Sequence, residues 1–279
     1  MKKYVIFLIP FFPIFVMCQN SNKKAEPVQV FPSDTIPMIY GNNSFHLPIL
    51  DGIVNDSLYL KVFFDTGTLG NRFSISDSLK NLFVSDSAFV QIGKIKKQMA
   101  IKYYGSNRKS FVNIFGKNTI MLGWEFFRNK IIVLDFKNQR ILVYNELPDV
   151  TEYLKTKITL YDNSILLIPV QVVLQGKTLE DTVRIDTGFN GYVEFGIKHV
   201  EKQEIDTINA YYGKSTTSAG LLPGFTIPVD TIKIGNLYVA NQNMRISFSN
   251  FVGGLLGTKA MENFSVILDL INYDLYLKN

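Results

Sequence analysis

The chain has 279 residues, 47% of them hydrophobic and 19% charged, which suits a folded protein with a substantial core and excludes a disordered one. The net charge of +5 is a mild excess, and the basic clusters at Lys94, Lys96, Lys97 and at Arg108, Lys109 carry no interleaved nucleic-acid motif; they read as solvated β surface, with no nucleic-acid partner. A single cysteine, Cys18, excludes an internal disulfide and offers no spacing for a metal site.

Lys2 and Lys3 open the chain, and Tyr4 to Met17 is an apolar run of 14 residues broken by Pro10 and Pro13. That length fits an export signal and is short for a membrane-spanning helix. Cys18 follows directly, then the polar stretch from Gln19 to Lys24. The arrangement resembles a bacterial lipoprotein signal, in which the cysteine becomes the first mature residue and carries lipid. Phe15-Val16-Met17 departs from the small residues usual before such a cysteine, and an ordinary secretory peptide is the alternative. The expected order is a signal peptide over 1–17, then a lipid-anchored tether and lead-in over 18–44. The protein would be exported to the periplasm or cell envelope and bound to the membrane through Cys18.

Beyond the tether, 22 Phe and 14 Tyr with many Ile and Val favour strands. The first half, 45–145, predicts strands over 45–50, 58–64, 87–92, 98–104, 110–115, 131–136 and 140–144. A hairpin turn is expected at 54–57 and helical turns at 76–82 and 124–128. Leu147-Pro148-Asp149 interrupts the pattern and marks a linker over 146–156. The second half, 157–279, predicts strands over 157–160, 165–174, 182–186, 192–196, 225–234, 237–240, 243–248, 265–269 and 273–277. A turn is expected at 175–177 and a helical turn at 258–263. The expected fold is all-β: two similar β-barrel-like lobes with a cleft between them.

The halves repeat. Asp65-Thr66-Gly67 and Asp186-Thr187-Gly188 each end an apolar run, and each is followed after two residues by another glycine, Gly70 or Gly191. Pro48 and Pro169 precede their aspartates by the same 17 residues. Downstream, Ile120-Met121-Leu122-Gly123 matches Gly254-Leu255-Leu256-Gly257, Asn129 matches Asn263, and Leu134-Asp135 matches Leu268-Asp269. The upstream blocks lie 121 residues apart and the downstream blocks 134, so the second half carries 13 extra residues between them. Chance explains one Asp-Thr-Gly, but poorly explains two inside matched blocks.

Two carboxylates on equivalent turns, forced together, share one proton and activate a water. Asp65 and Asp186 are the catalytic candidates. The competing reading is that each aspartate merely caps its turn. No metal site and no cofactor motif is present: there is no P-loop, dinucleotide fingerprint or Gly-x-Ser-x-Gly. His46 and His199 have no partner pattern for a metal or a triad. Trp124 reads as core, and Asp135 and Asp269, each followed by an asparagine at the third position, read as turn formers.

These motifs resemble the aspartic proteases, both pepsin-like and retropepsin-like, over roughly residues 45 to 279. The chain is closer to two fused retropepsin-like units. The resemblance implies an acid-protease fold with the apolar-Gly segments crossing behind the catalytic turns, and an aspartic endopeptidase cutting peptide or protein substrates. Thr66 and Thr187 would lock the turns together, Gly67 and Gly188 would admit close backbone approach, and Thr68 would bond Asp65. It also implies a hairpin flap with a tyrosine near its tip, for which Tyr104 and Tyr212 are the candidates. Ser218-Ala219-Gly220 is a possible tip. Two fused lobes make a monomer sufficient. The alternative function is a non-catalytic peptide- or ligand-binding envelope lipoprotein on the same fold.

Overall fold

The computed structural model describes residues 30–40, 47–68, 70–74, 87–100, 102–103, 118–217, 220–248 and 253–279. The export signal, Cys18, His46, Tyr104 and the elements expected at 76–82 and 110–115 lie outside these residues.

The first half contains β1 (Asp34–Pro37), β2 (Ile49–Val54), β3 (Leu58–Phe64), β4 (Arg72–Ser74), β5 (Ser87–Ile92), β6 (Ile95–Ala100), β7 (Lys102–Tyr103), β8 (Thr119–Leu122), β9 (Ile131–Asp135) and β10 (Arg140–Tyr144). The second contains β11 (Leu154–Lys157), β12 (Thr159–Tyr161), β13 (Ile165–Leu174), β14 (Lys177–Ile185), β15 (Val193–Gly196), β16 (Tyr211–Thr217), β17 (Gly220–Ile234), β18 (Leu237–Ser247), β19 (Leu255–Leu256), β20 (Ser265–Asp269) and β21 (Asp274–Lys278). The described helices are short: a 3-10 turn at Trp124–Phe127, α1 (Ile197–Lys202) and α2 (Thr258–Met261).

Each half forms one sheet, and that of the second half closes into a barrel. In the second half, β13, β14, β19, β15, β18 and β17 pair in that order, and β17 returns to β13, closing the circuit. In the first half, β6, β5, β2, β3, β8, β4 and β7 pair in order; β7 follows β6 along the chain and runs parallel with β4, as β18 does with β15. Alternating side chains fill the interior: Leu50, Val54, Val90 and Ile92 point inward, while Asp51 and Phe89 point out. The hairpins that precede the Asp strands use left-handed pairs, Asn55 and Asp56 (φ 48° and 61°) and Gln175 and Gly176 (φ 51° and 71°). This turn matches strand twist and suits Asn, Asp and Gly.

A third sheet joins the halves in the order β1-β10-β9-β20-β21-β11. Its centre is the antiparallel pairing of β9 with β20, Val266 opposite Leu134 and Leu268 opposite Ile132. One face, with Ile132, Leu134, Val266 and Leu268, joins the main core. The other face buries Ile131, Tyr144, Ile267 and Tyr276 beneath Leu147, Val150 and Tyr153 of the connecting segment.

Three differences from the sequence reading have physical causes. Asp34–Pro37, placed in the tether, is a strand because β10 offers it a free edge. The linker ends in β11, whose Leu154–Lys157 pairs with β21 on the opposite edge of the same sheet. The two strands expected over 237–240 and 243–248 are one continuous β18: Ala240 and Gln242 keep their register with β17, and Asn241 absorbs the kink at φ 54°.

Candidate active site

β3 runs parallel with β8, and β14 parallel with β19, so each Asp strand is backed by an apolar-Gly block from its own half. The Asp65 amide donates to Leu122 O and the Asp186 amide to Leu256 O, both at 2.9 Å. The chain then turns sharply: Thr68 N–H reaches Asp65 O and Phe189 N–H reaches Asp186 O, each at 3.2 Å. Inside each turn the glycine amide donates to its own carboxylate, Gly67 to Asp65 Oδ1 at 2.9 Å and Gly188 to Asp186 Oδ1 at 2.8 Å.

Thr66 and Thr187 are fully buried and tie the turns to each other. The Thr66 amide donates to Thr187 Oγ1 (2.9 Å), and the Thr187 amide to Thr66 Oγ1 (3.0 Å). Each hydroxyl then donates across the junction, Thr66 to Ile185 O (2.8 Å) and Thr187 to Phe64 O (2.7 Å). Four reciprocal bonds between residues 119 to 123 positions apart bring the two aspartates face to face. A Cβ on Gly67 would run into the Asp186 carboxylate, and one on Gly188 into that of Asp65. Each missing side chain is therefore the space in which the opposite carboxylate sits.

Each carboxylate thus sits beside the opposite turn, close enough for the two acids to affect each other's ionisation. Burial and then the neighbouring Asp65 charge push the Asp186 carboxyl well above the usual carboxylate range, while Arg184 and the Gly188 amide pull the other way. Two acids side by side cannot both ionise easily, which is the sense of that shift.

The site is not symmetric. Two residues before Asp65 stands buried Phe63; two before Asp186 stands Arg184, whose Nη1 donates to Gly67 O in the opposite turn at 2.7 Å. Gly123 N–H donates to the Asn71 side chain at 3.1 Å, whereas Gly257 N–H donates to the main chain of Tyr192 at 3.0 Å. The Thr68 hydroxyl gives its proton to Gly70 O at 3.2 Å, not to the Asp65 carboxylate as the sequence reading expected, because the turn carries that carbonyl back over it. Phe189 takes the matching place, its ring over Gly191 and Gly257, where a Cβ would collide with it. Arg184 and Asn71 escaped the sequence reading. The available signal for Arg184 was a lone cation in an apolar run whose counterpart holds phenylalanine.

Tyr212 lies on the exposed β16–β17 hairpin, opposite Phe225, with ring centroids 5.3 Å apart. That hairpin is paired as far as Thr217 opposite Gly220. His199 is on α1, with Nε2 2.9 Å from Asp181. Trp124 is core, its indole donating to Ser164 O at 2.8 Å. Asp135 and Asp269 are turn formers: each carboxylate accepts from the amide and side chain of the asparagine three residues on. Two surface concavities, one including Asp206 and Asp230 and one including Lys198 and His199, hold neither Asp65 nor Asp186.

No protein-family model and no curated protein matches the chain. Among solved structures it is similar to a retropepsin-like aspartic protease from Rickettsia conorii, at 19% identity, over 45% of this chain and 91% of that one, with a TM-score of 0.36.

Proposed function

We propose that the protein is an aspartic endopeptidase that hydrolyses peptide bonds with water activated between Asp65 and Asp186. The observation that carries this reading is the pair of carboxylates on reciprocally bonded turns, each seated in the space left by the opposite glycine. The ionised member takes a proton from water as the water attacks, and the protonated member donates to the scissile carbonyl oxygen. The titration belongs to the pair, and neither member owns the proton. The Gly67 and Gly188 amides each donate to the carboxylate of their own turn, and the Thr66–Thr187 bonds tie the two turns together. The β16–β17 hairpin with Tyr212 is the candidate flap over a bound peptide. Export and a lipid on Cys18 would place this activity at the cell envelope, acting as a monomer on peptide or protein substrates.

A peptide inhibitor carrying a hydroxyl in place of the scissile carbonyl tests the site. Calorimetry should detect binding to the wild type and lose it in both Asp65→Asn and Asp186→Asn. Equal binding by folded Asn variants would remove the pair from the chemistry and favour a non-catalytic peptide binder.

A further inference from the structure

Arg184 is the one charged residue in the strand run that delivers Asp186, from Val183 to Ile185. It stands in the last alternation of β14, its neighbours Val183 and Ile185 pointing into the core, and Asp186 follows directly after the strand. Its guanidinium crosses the junction to the Gly67 carbonyl at 2.7 Å, in the turn that carries Asp65. The first half offers no equivalent: Phe63, at the matching place, is apolar and buried. We propose that Arg184 is a positioning residue that fastens the second carboxylate strand to the first turn and breaks the symmetry of the pair with a single positive charge.

The inference deepens the proposed endopeptidase reading and rests on it only for its consequence in activity. The charged groups to be weighed come from each element around the turns. β14 brings Arg184, and the two turns bring Asp65 and Asp186; in the cross-strand row of Arg184 and Leu255, Glu194 of β15 and Arg245 of β18 pair with each other at 3.0 Å. The 3-10 turn brings Glu125, whose Oε2 stands over Gly123 beside Thr68. Burial pushes the Glu125 carboxyl upward. Lys259 of α2 follows Gly257 as Glu125 follows Gly123. The backing strands β8 and β19 bring only uncharged residues, Thr119 to Leu122 and Leu255 to Leu256. Arg184 is therefore the cation that works against the burial of Asp186, and its charge favours the ionised pair.

The test is direct titration of the carboxyl carbons by NMR in protein with labelled aspartate, the pair being assigned from the signals lost in Asp65→Asn and Asp186→Asn. Arg184→Gln keeps a donor for Gly67 O and removes the charge; Arg184→Met removes both; Arg184→Lys keeps the charge. Both titration steps of the pair should move to higher pH in the Gln and Met variants and stay near wild type in the Lys variant. In peptide cleavage, the limbs of the pH profile should move the same way. Unmoved steps in folded Arg184→Gln would overturn the proposal, even if Arg184→Met failed to fold. A wild type that cuts no peptide would defeat the protease reading and leave the titration result standing.

Discussion

Thr187→Val replaces a hydroxyl by a methyl of similar size at a fully buried position, so its effect isolates the hydrogen bonds between the turns. The Thr66 amide loses its acceptor at 2.9 Å, and Phe64 O loses a donor at 2.7 Å. A buried donor left without a partner costs about 1–3 kcal/mol, and an ordinary hydrogen bond contributes about 1 kcal/mol net. The sum is a loss of roughly 2–4 kcal/mol, which in a protein of this size lowers Tm by several degrees, at about 2–4 °C per kcal/mol. Urea unfolding at pH 7, followed by the fluorescence of the single tryptophan, Trp124, reads this directly, since that side chain is completely buried. Thr66→Val should cost a similar amount, because its hydroxyl makes the mirror-image pair of bonds. A loss below about 0.5 kcal/mol in both variants, with unchanged denaturant dependence, would refute the view that these bonds hold the halves in register.

Asp186→Asn should make the protein more stable at neutral pH. A carboxyl whose native pKa is raised binds a proton in the folded state where the unfolded state has released it, so stability falls as pH rises from about 3.9 towards the raised value and then levels off. The variant's advantage, measured by urea unfolding, should be largest near pH 7 and shrink as pH falls towards 4; an advantage independent of pH would contradict the linkage. Gly188→Ala drives a Cβ into the Asp65 carboxylate, and displacement of this order should lower peptide cleavage by roughly 100-fold. Wild-type rates in that variant would mean that the pair tolerates separation. Glu194→Leu leaves Arg245 buried without the carboxylate now 3.0 Å from its Nε, at a cost of about 3 kcal/mol; Glu194→Leu with Arg245→Met should recover most of that in thermal melts. A double variant no more stable than the single would show that the pair is not the source of the loss.

The repeated Asp-Thr-Gly turns, the proline offsets and the apolar-Gly blocks were legible in the sequence because each encodes a local requirement: a strand end, a tight turn and a backing strand. Both hairpin turns before the Asp strands were legible for the same reason, through Asn, Asp and Gly at left-handed positions. The six-stranded sheet was not. Its edge strands, Asp34–Pro37 and Leu154–Lys157, are short and polar, and only the distant partners β10 and β21 make them strands. The continuity of β18 was hidden by the polar Asn241-Gln242, which leaves a gap in the apolar pattern until β17 holds it in register. At the site, the two aspartates and their threonines could be named from the repeat. The bond from Arg184 to Gly67 O could not, since it depends on how two segments 117 residues apart are docked.

The central claim is that Asp65 and Asp186 act together on a peptide bond. Digestion of a diverse peptide library by the chain lacking residues 1–18, scanned from about pH 3 to pH 8 beside Asp65→Asn and Asp186→Asn, tests it most directly. Cleavage by the wild type within a bounded pH range, lost in both folded variants, is the predicted result. Cleavage that survives in either variant, or a folded wild type that cuts nothing across the range, would contradict it.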